Sequence, residues 1–346
     1  MAKIMSPDVF LPFELELIDS EPHILSARLP RQRFRDPFLI DALTSRLGVA
    51  KYDLDPVDGG RFVRRLIPSD TARIHKTPLS NFISGKAGTT AELIFLFHMG
   101  RAGSTLLAQM LATSPATFVL SEPTLINRLL DPTMTLLTED SRREAVLAAI
   151  NAYAACRPPQ TRRVVIKFRS WNILFAEDLL DAFPAARLCF VHRNSVEVWA
   201  SLKRSPPGWL RSTHRLSESD SDGVTDMTEC EYAAAVLGRL CVSAKGLRRL
   251  GCHFVDYVDI VSSFSILAKK LQISLSKPEE QAAIARSRTY SKSLAVHPFR
   301  SDSESKQASV AAEESVIMTT RVEPKRAELV RGHSCEPSYS LVGKDS

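Results

Sequence analysis

A short apolar run, Leu93 to Phe97 (LIFLF), leads through His98, Met99, Gly100, Arg101, Ala102 and Gly103 into an apolar-periodic stretch ending near Leu111. Five apolar residues with no polar alternation suit a strand covered on both faces, which is how strands of a parallel sheet read. The same grammar recurs downstream. Thr117–Leu120, Arg163–Phe168 (RVVIKF), Arg187–His192 (RLCFVH) and His253–Val258 (HFVDYV) read as strands. Ala102–Leu111, Glu139–Cys156, Leu174–Phe183, Val196–Arg204 and Glu229–Leu250 read as helices between them. Strands alternating with helices predict an α/β fold of three layers, a central parallel sheet flanked by helices.

The rest of the chain is harder to place. Residues 1–90 carry Pro, Gly and charge punctuation and read as an N-terminal extension of unknown role. Within it only residues 36–47 (DPFLIDALTSRL) predict a helix, and 51–90 read as loop-rich. The α/β domain is expected over 91–300. Residues 301–346 read as a polar, Ser-rich and partly disordered tail, with a helix near Val310–Met318. The acidic, Ser-bearing stretch 212–226 reads as a surface loop. The first seventeen residues make a poor signal sequence, and no apolar run is long enough for a bilayer. Six cysteines form no C-x-x-C pair and lie near no His at ligand spacing. Reduced thiols, no metal and a cytoplasmic location are the expectation.

Net charge is +6 across 346 residues, which points to an anionic partner without naming one. Its placement is informative. Residues 161–215 hold ten Lys or Arg against four acids, as large an excess as the whole chain's. No basic stripe interleaved with aromatics appears, so nucleic acid is not the expected partner. The turn from Gly100 to Thr105 offers free N–H groups at a helix start, where a phosphate is favoured. Arg101 adds a charged fork, and Ser104 and Thr105 add hydroxyls. Lys167 ends one predicted strand, Arg193 follows another, and Ser201 lies eight residues beyond Arg193. Any one of these cations alone reads as a solvated strand end. Three at consecutive strand ends of one parallel sheet converge on one edge. The nucleotide-triphosphatase pattern G-x-x-x-x-G-K-[ST] is absent, because no Lys precedes Ser104.

With those elements in this order, the chain resembles the sulfotransferase family, whose donor is 3′-phosphoadenosine 5′-phosphosulfate (PAPS). HMGRAGSTLL, after a strand, resembles the 5′-phosphosulfate loop. R193NSVEVWAS resembles the 3′-phosphate element, VVIKFRS the middle strand with its Lys, and Y257VDI a late segment of the fold. The resemblance spans about 91–295 and implies a P-loop-like fold, PAPS as co-substrate and no metal. It implies that Gly100, Arg101, Ala102, Gly103, Ser104 and Thr105 hold the 5′-phosphosulfate. Arg193 and Ser201 would hold the 3′-phosphate, with Arg101 and Lys167 near the leaving group. Arg286, Arg288 and Lys292 are loose matches to a segment that closes over the nucleotide.

Two departures stand out. Ala102 replaces a hydroxyl residue of the loop. Arg169 stands where cytosolic members carry a catalytic His, and a guanidinium is no base. The resemblance to bacterial and Golgi-type members instead makes Glu122 the base, twenty-one residues after Arg101. The competing reading is that Glu122 caps the helix begun by Pro123. His98 and His192 read as core or strand-end residues. The acceptor is expected to be a small molecule or glycan. Residues 122–160, 205–226 and the N-terminal ninety would choose it. The oligomeric state is not written in the sequence. A P-loop phosphotransferase and a non-catalytic nucleotide-binding protein are the alternatives.

Overall fold

The computed structural model describes residues 8–34, 36–55, 61–69, 71–85, 88–131, 136–211, 227–289 and 303–331. Its centre is a five-stranded parallel sheet. The strands are β6 (Glu92–His98), β7 (Thr117–Ser121), β8 (Arg163–Lys167), β9 (Arg187–His192) and β10 (His253–Asp256), in the spatial order β10-β9-β6-β8-β7. Ile94, Phe95, Leu96 and Phe97 are fully buried, as an unbroken apolar strand at the middle of a parallel sheet requires. Phe168 stacks on Phe97 at 4.8 Å and meets Phe95 edge-on at 5.3 Å. The chain runs from β6 past β8 to β7, returns to β8, and crosses to β9 on the other side of β6. That reversal opens a crevice at the carboxyl ends of the strands, where such sheets bind ligands.

Helices cover the sheet. They are α3 (Ser104–Leu111), α4 (Thr124–Leu129), α5 (Glu139–Ala155), α6 (Ala176–Ala182), α7 (Ser195–Arg204), α8 (Gly208–Arg211) and α9 (Glu229–Gly246). After β10 come α10 (Asp259–Ser262), α11 (Phe264–Lys270) and α12 (Lys277–Ser287). Four of them start on side-chain caps: Thr138 accepts from Ser141 N, Asn194 from Val196 N and Glu197 N, Thr228 from Glu231 N and Ser276 from Glu279 N. The expected three-layer α/β architecture is what the chain adopts, and each predicted strand and helix of 91–258 has its counterpart.

Within the N-terminal ninety residues, the described part of 51–90 departs from its loop-rich reading. Strands β1 (Val9–Ile18), β2 (Glu21–Leu29) and β5 (Ile74–Pro78) form an antiparallel sheet, and β3 (Gly48–Asp55) pairs with β4 (Arg61–Pro68). The helix expected over 36–47 is α1 (Leu39–Leu47), and α2 (Leu79–Ser84) follows β5. Pro12 and a register shift between Pro12 and Glu14 break the alternation that would have announced β1. Its inward residues Leu11, Phe13 and Leu15 are buried nonetheless. The sheet docks on the α/β unit: Thr124 Oγ1 donates to Phe13 O at 2.5 Å, and Arg128 lies 3.9 Å from Glu14.

The described part of 301–346 is built into the fold rather than trailing from it. Helices α13 (Ser303–Ala308), α14 (Ala312–Arg321) and α15 (Glu323–Val330) pack on α7 and α9. Met318, Val322 and Leu329 are fully buried, and Arg321 pairs with Glu231 at 2.9 Å. The sequence hid this because only three buried apolar side chains, widely spaced among charges, make the contact. The tail beyond residue 331, the 212–226 stretch and Lys292 lie outside the described residues.

The turn into α3 depends on Gly103, whose φ is +88°. A Cβ there would sit 2.5 Å from Tyr257 Cδ2 and 2.9 Å from Ile260 Cδ1. Gly103→Ala is therefore expected to lower stability by about 1–3 kcal/mol in urea unfolding. Gly88→Ala, with nothing within 4 Å of its Cβ position, should stay near wild type.

Candidate functional site

The register of the parallel ladder aligns the strand ends. Lys167 is opposite both Leu96 of β6 and Ser121 of β7, His98 is opposite Val191, and Asp256 opposite His192. The loop 99–103, Glu122, Lys167 and Arg193 thus emerge on one edge, the crevice edge. The loop is shaped by positive φ at Gly100 (+90°), Arg101 (+49°) and Gly103. His98 fixes its start: Gly100 N donates to His98 Nδ1 at 2.9 Å, while Nε2 lies 3.1 Å from Phe168 O. Held by Gly100 N on one ring nitrogen and Phe168 O on the other, His98 braces the loop. It is the buried strand-end histidine the sequence suggests. Ala102, Ser104 and Thr105 are buried at the start of α3, and Arg101 reaches across to Ser205 O.

Glu122 and Lys167 face each other. Lys167 Nζ donates to Glu122 Oε1, Arg169 Nε lies 3.7 Å from Oε2, and Glu122 N donates to Lys167 O at 2.7 Å. Glu122 has φ of +51°, a conformation held by that backbone bond. Glu122 stands one position before Pro123, the N-cap of α4, which makes no side-chain cap hydrogen bond. Lys167 is 1% exposed and Glu122 22%. Burial works to raise the Glu122 pKa, but the charges of Lys167, Arg169 and His98 together outweigh it and hold the carboxyl at about 2. Phe38 lies beside the pair, its ring centroid 5.3 Å from Lys167 Nζ.

Arg193 is buried in a cluster. It pairs with Glu197, donates to Ser303 Oγ at 3.2 Å, and stacks on the Tyr257 ring at 3.8 Å. Gln307 Nε2 holds the other oxygen of Glu197 at 3.0 Å. Ser201 is buried one and a half turns along α7. Ala200, Lys203, Arg204, Ser305, Lys306 and Ser309 line a cavity of about 400 Å³ between α7 and α13. Tyr257 opens the Y257VDI segment that the sequence singles out, but its place under Arg193 was not foreseen. The contributions of Glu197, Ser303, Gln307 and Lys306 were not legible beforehand, and of these only Lys306 could have been suspected, as a cation within a polar stretch.

Other expectations shift. Arg286 bonds Gln109 Oε1 of α3 at 3.4 Å and Thr289 just past the end of its own helix, and Arg288 is exposed. Neither adjoins the loop, and the late segment beside Arg193 is α13. The basic excess of 161–215 also divides. Arg162, Arg163 and Arg187 stand at the opposite ends of the strands, all on Glu92 at 3.8, 3.0 and 3.4 Å. Arg215 lies outside the described residues. His192 belongs to a network with Asp256 and Arg326 that ties α15 to the sheet.

A model of the sulfotransferase family matches residues 94–272. Among solved structures the chain is similar to a sulfotransferase, STF9, from Mycobacterium avium, at 14% identity and a TM-score of 0.39 over 60% of this chain and 69% of that one. It is also similar to mouse sulfotransferase SULT7A1 complexed with PAP, at 14% identity and 0.41 over 74% and 93%. A third, STF1 from Mycobacterium tuberculosis H37Rv, gives 13% identity and 0.36 over 70% and 78%. No curated protein matches the chain.

The ion pair has a consequence for acid stability. A carboxyl held below its unfolded value stabilises the fold above about pH 4.5, and that contribution is lost as pH falls through about 2. The full shift corresponds to about 3 kcal/mol. Glu122→Gln should be less stable than wild type at pH 6, and chemical denaturation at stepwise lower pH should show the gap closing between 4.5 and 2. A gap independent of pH would contradict the charge pairing.

Proposed function

The chain belongs to the sulfotransferase family, and we propose that it transfers a sulfuryl group from PAPS to a hydroxyl or amine of a small-molecule or glycan acceptor. The observation that carries this reading is the pairing of a carboxylate, Glu122, with a buried ammonium, Lys167, beside the loop that opens α3. A base and a leaving-group cation are the two charges that the reaction needs side by side.

The residues at the edge fit the donor's anions. The loop from Gly100 to Thr105 presents N–H groups and two hydroxyls at the start of an eight-residue helix. Ala102 withholds a hydroxyl, and its backbone N–H serves instead. Arg193 and Ser201 are both buried and suit a 3′-phosphate, and Lys203, Arg204 and Lys306 line the cavity between α7 and α13. Both Arg193 and Lys167 already hold carboxylates, so each position is shaped for an anion.

PAPS supplies an electrophilic sulfuryl group and a phosphate leaving group: the new S–O or S–N bond forms as the old S–O bond breaks, and the electron pair leaves with PAP. Arg101 and Lys167 stabilise the charge on that departing oxygen. Glu122 takes the proton the acceptor gives up. Phe38, an N-terminal residue, stands beside the catalytic pair, which supports a role for the first ninety residues in shaping the acceptor side. A cytoplasmic setting agrees with five buried free cysteines, and no described helix is long and apolar enough to cross a membrane.

Thermal-shift titration should show stabilisation by PAP at concentrations where ATP·Mg has no effect. The reverse would favour a phosphotransferase. Glu122→Ala should abolish sulfuryl transfer across an acceptor panel while PAP still binds, and unchanged turnover would remove Glu122 from the chemistry. Arg193→Ala should weaken PAP far more than 5′-AMP. Equal loss for both would displace the 3′-phosphate assignment.

A further inference from the structure

Lys167 has two claims on it. Its ammonium is 1% exposed, so it must always hold a counter-charge, and in the ligand-free chain that is Glu122. Lys167 itself ends β8, in register with Leu96 of the strand that delivers the phosphate loop. Glu122, for its part, has a second cation: Arg169, 42% exposed, lies 3.7 Å from Oε2, the oxygen that Lys167 does not hold. The charged or titratable groups facing the carboxylate are thus Lys167 and Arg169 from the end of β8 and His98 from the end of β6.

A carboxylate clamped by an ammonium is a weak proton acceptor. Resting on the PAPS reading above, we infer that Lys167 exchanges partners: it leaves Glu122 for the donor's 5′-phosphate, and Arg169 alone then keeps the carboxylate aimed at the acceptor. The base is unmasked only when the donor is in place. Arg169 thereby becomes a positioning residue at the place where cytosolic members carry their His. The exchange needs no new charge in the crevice, because one anion replaces another on the same ammonium. Its reciprocal is that Glu122 competes with the donor for Lys167, and by linkage a change that removes the competitor must tighten donor binding.

That competition is testable with PAP alone, without knowing the acceptor. Calorimetry at pH 7 on wild type, Glu122→Gln, Lys167→Met and the double variant gives a double-mutant cycle, with folding of each checked by circular dichroism. Lys167→Gln substitutes for Lys167→Met if the apolar side chain does not fold. Glu122→Gln is expected to bind PAP about tenfold tighter than wild type, and less than about twofold tighter when Lys167 is absent. Simple repulsion between Glu122 and the phosphates would give the same tightening in both backgrounds and overturn the exchange, as would no tightening at all. Failure of wild type to bind PAP would instead remove the donor reading on which the exchange rests. A second readout isolates Arg169. In 13C NMR of labelled glutamate with PAP bound, Arg169→Gln should raise the Glu122 titration midpoint by at least one pH unit, and Arg169→Lys should restore it. A midpoint indifferent to Arg169 would contradict its positioning role.

Discussion

A buried ammonium group demands a counter-charge, and at Lys167 that demand organises the crevice edge of the sheet. The apolar β8 strand carries Lys167 into the interior, where desolvating an unpaired cation would cost several kcal/mol. Glu122 answers it by adopting a left-handed backbone conformation that the Lys167 carbonyl stabilises through Glu122 N. One strand end therefore sets the position of both charges. The parallel register then places them beside the loop entering α3.

The same logic repeats at the far end of the site. Arg193 follows β9, is buried, and rests on Glu197 with Tyr257 beneath it. Here the support comes from the C-terminal helices: Ser303 and Gln307 of α13 hold Glu197, and Glu323 of α15 accepts from Ser195 N at 2.6 Å. Arg326 links Glu323 to Asp256 at 2.7 Å on each side. Two cation–carboxylate pairs at two strand ends thus frame the crevice. Buried pairs of this kind contribute little net stability against apolar replacements of both partners, whereas removing one partner alone is costly.

The α/β core was legible because its strands are unbroken apolar runs, as LIFLF and RLCFVH are, and because Pro158 and Pro206 stop the helices cleanly. The loop and the three strand-end cations were legible because parallel topology brings strand ends together whatever the side-chain detail. The N-terminal sheet was not, since Pro12 and the shift at Glu14 broke its period of two. Residues of α13 escaped because their contribution is polar and long-range: Ser303 meets Arg193 across 110 positions of sequence. The window of basic charge is split by the fold for the opposite reason. Composition counts Arg163 and Arg187 with Lys167, but a strand has two ends, and those two arginines sit at the wrong one with Glu92.

The central claim is that one sheet edge holds a doubly phosphorylated nucleotide with a carboxylate base beside it. A crystal structure with PAP tests it most directly. The account predicts the 5′-phosphate on the backbone of Gly100 to Thr105 with Lys167 turned towards it, and the 3′-phosphate on Arg193 and Ser201. PAP bound away from that edge, or reversed so that Arg193 meets the 5′-phosphate, would contradict it.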